Sequence, residues 1–185
     1  QVERLADFQR PVIIFFDEPA LAGFGSSEFT SISREEVGQC FEEVFEPVHQ
    51  VGGLTGVHVC ANTDWSLVLD SSADIVSFDA YGYFDRFILY PDQVKAFVAS
   101  GKILAWGMVP TLNADDLERE TTASLLRQFK DKIKQVEALG IDSHRLISQS
   151  LITPTCGAGT LSIDLTQKVL RVTREISEEI RKEYT

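Results

Sequence analysis

Along this chain, compact runs of β-branched and aromatic residues alternate with longer segments whose apolar positions recur every three or four residues. Residues 12–16 form the first compact run, closed by Asp17, Glu18 and Pro19. Ahead of it, Val2 to Ala6 reads as the tail of a helix. Ser33 is placed to cap a helix carrying Val37, Cys40, Phe41, Val44, Phe45 and Val48 at helical spacing. Pro47, late in that pattern, is expected to bend or end it. Cys40 lies on the apolar face and is expected in the core. Gly52 and Gly53 break the chain before a second strand over residues 55–60. Thr63 or Asp64 caps a short helix, Trp65–Leu69, and a third strand covers residues 75–79.

Pro91 suits the first turn of a helix with Val94, Phe97 and Val98 inward, stopped by Gly101. A fourth strand follows over residues 103–106. The longest helix is expected over residues 116–139, with Leu125, Leu126, Phe129, Ile133, Val136 and Leu139 on one face and Gly140 as its stop. A fifth strand falls somewhere in residues 146–153. Ser162 starts a final helix that turns Leu165, Val169, Val172, Ile176 and Ile180 inward. Strands alternating with helices predict βαβ units and a parallel sheet, within a single domain over residues 1–185. Five strands fit a doubly wound open sheet, or part of a closed (β/α)8 barrel, which needs eight strands and typically ~250 residues. Periodicity alone does not choose between them.

Charge narrows the partners. Seventeen Lys and Arg against 28 Asp and Glu give a net charge of −11. Nucleic-acid backbones and anionic membranes reward clustered basic residues, so neither is expected as a partner. The longest apolar run is far short of a membrane span, and no secretory leader is visible. Three cysteines without framework spacing argue against disulfides, so a reducing cytoplasm is expected. The charged run over residues 174–183 reads as a solvated helix face.

Candidate chemistry collects where strands end, the functional rim of parallel α/β folds. Asp17 and Glu18 follow strand one, His58 and Cys60 finish strand two, Asp79 finishes strand three, and Cys156 follows strand five. Strand side chains alternate, so His58 and Cys60 point to the same side, with Val59 toward the helices. An imidazole and a thiol so placed suit zinc, and Cys156 and Asp79 can complete a tetrahedron. Asp17 or Glu18 at the rim can hold a substrate ammonium group, or can simply begin a turn. His49 and His144 read as surface or packing residues, and Trp65 and Trp106 as core aromatics, although Trp106 ends a strand and can line a pocket. The glycine-rich turn after Cys156 matches no phosphate-binding fingerprint.

Three segments carry a family likeness. Asp17-Glu18-Pro19-Ala20-Leu21, Gly56-Val57-His58-Val59-Cys60 and Thr153-Pro154-Thr155-Cys156-Gly157 occur in that order. Together they resemble the C-terminal catalytic barrel of cobalamin-independent methionine synthase, within the superfamily that includes uroporphyrinogen decarboxylase. The resemblance implies the C-terminal part, about five βα units, of a (β/α)8 TIM-type barrel. It implies a zinc site of His58, Cys60 and Cys156, with the family's fourth ligand, a Glu, falling on Asp79. Asp17 matches the Asp that contacts the amino-acid substrate. The implied activity is methyl transfer to a small-molecule thiol such as homocysteine, from a folate or a methylated corrinoid protein. The family's catalytic His after the fourth strand has no counterpart in residues 107–113. The first half of the barrel is not in this chain, so self-pairing or a separate first half is expected to cover it. A metal-free, decarboxylase-like protein and a non-catalytic half-barrel are the alternative readings.

Overall fold

The computed structural model describes residues 1–6, 10–24 and 32–184. Five parallel strands form one sheet in the order β1 (Ile13–Asp17), β2 (Leu54–Val59), β3 (Ile75–Phe78), β4 (Ile103–Val109) and β5 (Ser150–Pro154). Each strand pairs with its neighbour in sequence. A doubly wound sheet reverses strand order at a switch point and carries helices on both faces. Neither is seen. Unbroken sequential order is compatible with part of an α/β barrel.

The helices are α1 (Val2–Ala6), α2 (Arg34–Gln50), α3 (Trp65–Leu69), α4 (Phe84–Phe87), α5 (Pro91–Ala99), α6 (Ala114–Arg119), α7 (Thr122–Glu137), α8 (Ser143–Ser148) and α9 (Ile163–Tyr184). Ser33 caps α2 reciprocally with Glu36, and Asp64 caps α3. Helix α2 runs through Pro47 to Gln50, because a proline one turn from the end removes little of the hydrogen-bond ladder.

Two expectations fail instructively. Residues 116–139 do not form one helix. Glu120 is extended, and Thr121 starts α7 afresh through a reciprocal cap with Ser124. The Glu120 carboxylate turns back to accept from the Tyr81 hydroxyl at 3.1 Å and the Gln128 amide at 3.0 Å. Local capping and this tertiary bond outweigh a continuous apolar stripe, and α9 is the longest of the described helices. Cys40 is exposed rather than core. The side of α2 that packs on the sheet carries Phe41, Phe45 and Val48. Cys40 sits on the margin of that side, lining a cavity of about 310 Å³ with Leu21, Phe24 and Phe41.

The core lies between the helices and one sheet face. Phe45 of α2 packs on Phe16, Phe87 of α4 stacks on Phe78 with centroids 4.0 Å apart, and Phe129 of α7 meets Trp106 edge-on. On the opposite face Ile13, Phe15 and Leu151 remain exposed. The Phe15 ring lies over Gly56, where a Cβ would fall 2.5 Å from it unless the ring moved. No described helix is long and apolar enough to cross a membrane.

At the N-terminal ends of the strands, Asp74 pins α2 to β2 and β3. Its carboxylate accepts from the buried Thr55 N–H at 2.8 Å and meets His49 Nε2 at 2.9 Å. Burial pushes this carboxyl up, but the bonds from Thr55 and His49 prevail and hold it below the ordinary aspartate value. Replacing Asp74 by Ala leaves the Thr55 N–H unpaired and is expected to cost about 1–3 kcal/mol. A carboxyl held low in the folded state stabilises fully above the unfolded value near ~4, and that stabilisation fades as pH falls through the folded value. Urea unfolding of both proteins is therefore expected to show a deficit at neutral pH that narrows in acid.

Candidate metal centre

Register builds this site. In β2, Thr55, Val57 and Val59 are fully buried on the helix side, which turns Gly56 and His58 to the other face. Pairing sets Asp17 and Ser77 on either side of His58. The imidazole Nδ1 lies 3.0 Å from Ser77 Oγ. Nε2 is buried and has no hydrogen-bond partner among the described residues. A buried ring nitrogen left unpaired is costly, and a metal ion is one of the few partners that satisfies it. The tautomer that donates from Nδ1 leaves the Nε2 lone pair free.

A different device delivers Cys156. Beyond β5, Thr155 is 1% exposed and locked: its N–H donates to Val109 O at 2.9 Å, and its Oγ1 accepts from Thr111 N at 3.1 Å. Gly107 permits this closeness, since a Cβ there would fall 2.7 Å from Phe78 O and 2.9 Å from Thr155 Cα. The chain then leaves the sheet with Cys156 directed back toward β2. Ligand atoms of His58, Cys60 and Cys156 all lie within 4.8 Å of one another, a group that can hold a metal ion.

Electrostatics fit that use. Burial lowers the His58 pKa, only partly offset by the Asp17 carboxylate, so the ring favours its neutral, ligating form. Burial, then the neighbouring Cys156 sulfur, pushes the Cys60 thiol up. Without a cation between them, two thiolates this close repel.

The acidic candidates part company. Asp17 is exposed at the end of β1, paired in register with His58, and its charge acts on both His58 and Cys60. Glu18 donates its backbone N–H to His58 O at 2.9 Å, and the residue borders the cavity that Leu21 and Phe41 line on the helix side. Asp79 is not in the His–Cys–Cys group among the described residues. Its carboxylate accepts from Gly82 N at 2.7 Å, closing the turn after β3. Aspartate readily bonds backbone a few residues on. Burial raises its pKa, opposed by the Gly82 and Tyr81 N–H groups. Ser77, Thr111 and Thr155 went unread in the sequence. Ser77 carried one signal, as a polar residue in the otherwise apolar β3, but linking it to His58 requires the register.

Compared with known proteins, the chain matches no family model and no curated sequence. The geometry therefore carries the functional reading. Ser77→Ala frees the ring to rotate and to change tautomer while leaving all three ligand residues in place. It is expected to weaken metal affinity about 10–100-fold in a chelator-competition titration, the usual cost of losing a bond that orients a ligand. Undiminished affinity would show that Ser77 does not position His58.

Proposed function

We propose that this chain is a zinc-dependent methyltransferase acting on a small-molecule thiol, homocysteine or a similar acceptor, in the manner of the methionine synthase family it resembles. The observation that carries this reading is the gathering of His58, Cys60 and Cys156 within 4.8 Å at the C-terminal strand ends. One imidazole and two thiols are a donor set suited to zinc, whose tetrahedral ligands sit roughly 3.5–3.8 Å apart. The trio needs to contract by little more than about an ångström. The sequential parallel sheet is read with it as about five βα units of a (β/α)8 barrel, whose active sites lie at this end. Free cysteines at positions 40, 60 and 156 suit a reducing cytoplasm.

When bound, zinc supplies Lewis acidity that ionises a coordinated thiol at neutral pH. The protein's part is placement. Cys60 and Cys156 supply anionic sulfur, and His58 supplies a neutral nitrogen held in orientation by Ser77. Three protein ligands leave a tetrahedral centre one position short, open to the acceptor's sulfur. Asp17, exposed on the same face as His58, is the carboxylate that steers the acceptor's ammonium group. Asp79 is assigned no ligand role here, since its carboxylate closes a turn. Of the two expected donors, a folate is disfavoured, because residues 107–113 hold no histidine to protonate a departing nitrogen.

Cobalt in place of zinc gives the test its colour. The reduced, cobalt-loaded protein is expected to show sulfur-to-metal absorption that rises on adding homocysteine and ignores homoserine, which has no sulfur. Cys60→Ser and Cys156→Ser should each reduce the band and abolish the response. A spectrum indifferent to homocysteine, or unaltered by both substitutions, contradicts the reading.

A further inference from the structure

Cys60 and Cys156 follow strands that are not neighbours in the sheet, yet their sulfurs lie within 4.8 Å of each other. A disulfide holds its two sulfurs about 2.05 Å apart, so the gap has to close by less than about 3 Å. Turning a cysteine side chain between staggered positions, with a small shift of its loop, supplies a movement of that size.

Local structure says which partner moves. Cys60 directly follows Val59, which is fully buried and paired in register with Phe78. Cys156 lies one residue past Thr155, whose N–H and hydroxyl are both bonded across to the end of β4 and the residues after it. Among the described residues, the backbone of Cys156 and Gly157 makes no hydrogen bond to other backbone groups. A Cβ at Gly157 or Gly159 would meet nothing within 4 Å, so the turn that carries Cys156 has open space around it. Both cysteines are partly exposed, which admits a small oxidant. The third thiol, Cys40, is exposed on α2 and stands outside the trio.

Metal and disulfide compete for the same sulfurs. In the centre proposed above both thiolates donate to zinc, whereas in a disulfide neither sulfur is an anionic donor. His58 would then be the one ligand left of the trio, and protein zinc sites take three or four.

We propose that a hydroperoxide links Cys60 to Cys156 in a reversible disulfide that expels the metal and switches the centre off. The assignment rests on the zinc and thiol-methylation reading and names a regulation of that same site. In the first step one sulfur's electron pair forms an S–O bond, the O–O bond of the peroxide breaks, and the departing hydroxide takes a proton to become water. In the second, the other sulfur's pair forms the S–S bond, the S–O bond of the sulfenic acid breaks, and a second water leaves. The sulfurs lose two electrons in all, the peroxide gains them, and zinc departs as Zn²⁺ with its charge unchanged. A dithiol reductant reverses the change by thiol–disulfide exchange, in keeping with the transient, sensing role of most cytosolic disulfides.

Hydrogen peroxide titration of the reduced full chain, metal-free and zinc-loaded, tests the switch. Thiol counting is expected to fall from three to one, with Cys40 the survivor. Intact mass should drop by two hydrogens rather than gain oxygen, and a non-reduced peptide map should join residues 60 and 156. Zinc should reach a chromogenic chelator in step with thiol loss, and the oxidised chain should bind zinc more than about 100-fold more weakly, since losing two ligands exceeds losing one orienting bond. Dithiothreitol should restore both thiols and the metal. Cys40→Ser should leave all of this unchanged, whereas Cys156→Ser should leave Cys60 to gain oxygen instead. Oxygen added at Cys60 or Cys156 without linkage, linkage through Cys40, or zinc retained after both thiols are lost overturns the proposal. The cobalt spectrum separates the two failures. A homocysteine-responsive band in a protein that resists linkage sinks only the switch. Linkage in a protein that binds no metal when reduced sinks the transfer chemistry, and with it the switching of a metal centre.

Discussion

The contact between His58 Nδ1 and Ser77 Oγ, at 3.0 Å, determines which nitrogen of the imidazole is left for chemistry. It exists only because β2 and β3 run parallel with His58 opposite Ser77. A slip of one residue would put Val57 or Val59 on the open face and turn His58 into the aromatic core, since strand side chains alternate. The core forbids that slip. Val57, Val59, Val76 and Phe78 are fully buried on the helix side, and Phe78 stacks on Phe87. Apolar burial on one face thus fixes polar geometry on the other, where register brings Ser77 to hold the imidazole in place.

Much of this was legible in the chain. Alternation in Gly56-Val57-His58-Val59 gave both the strand and the side on which His58 and Cys60 emerge. Ser33 and Asp64 marked two helix starts through capping chemistry that is local by nature. Cys156 was recognisable as a strand-end thiol, but its meeting with Cys60 depends on contacts spanning the sheet. The Thr111–Thr155 bond joins residues 44 positions apart, and no spacing rule forecasts it. Asp79 was legible as a rim carboxylate. Its capture by the Gly82 N–H was not, because a turn and a metal compete for the same short side chain.

The break between α6 and α7 is tied to the loop that follows β3. Periodicity ran straight through it, because Leu117 and Leu125 are both buried. Glu120 leaves the helix to receive the Tyr81 hydroxyl, and Tyr81 lines a cavity with Asp79 and Thr155. A local departure from the helical pattern therefore coincides with a tertiary hydrogen bond to the loop after β3.

The central claim is that an imidazole and two sulfurs, drawn from the ends of β2 and β5, surround one zinc ion. X-ray absorption at the zinc edge of the loaded, reduced protein addresses it without reference to any reaction. The account predicts two sulfur scatterers at about 2.3 Å and an imidazole nitrogen at about 2.0–2.1 Å in the first shell. A shell of oxygen and nitrogen alone, or one that keeps both sulfurs after Cys156 is replaced by Ser, would contradict it.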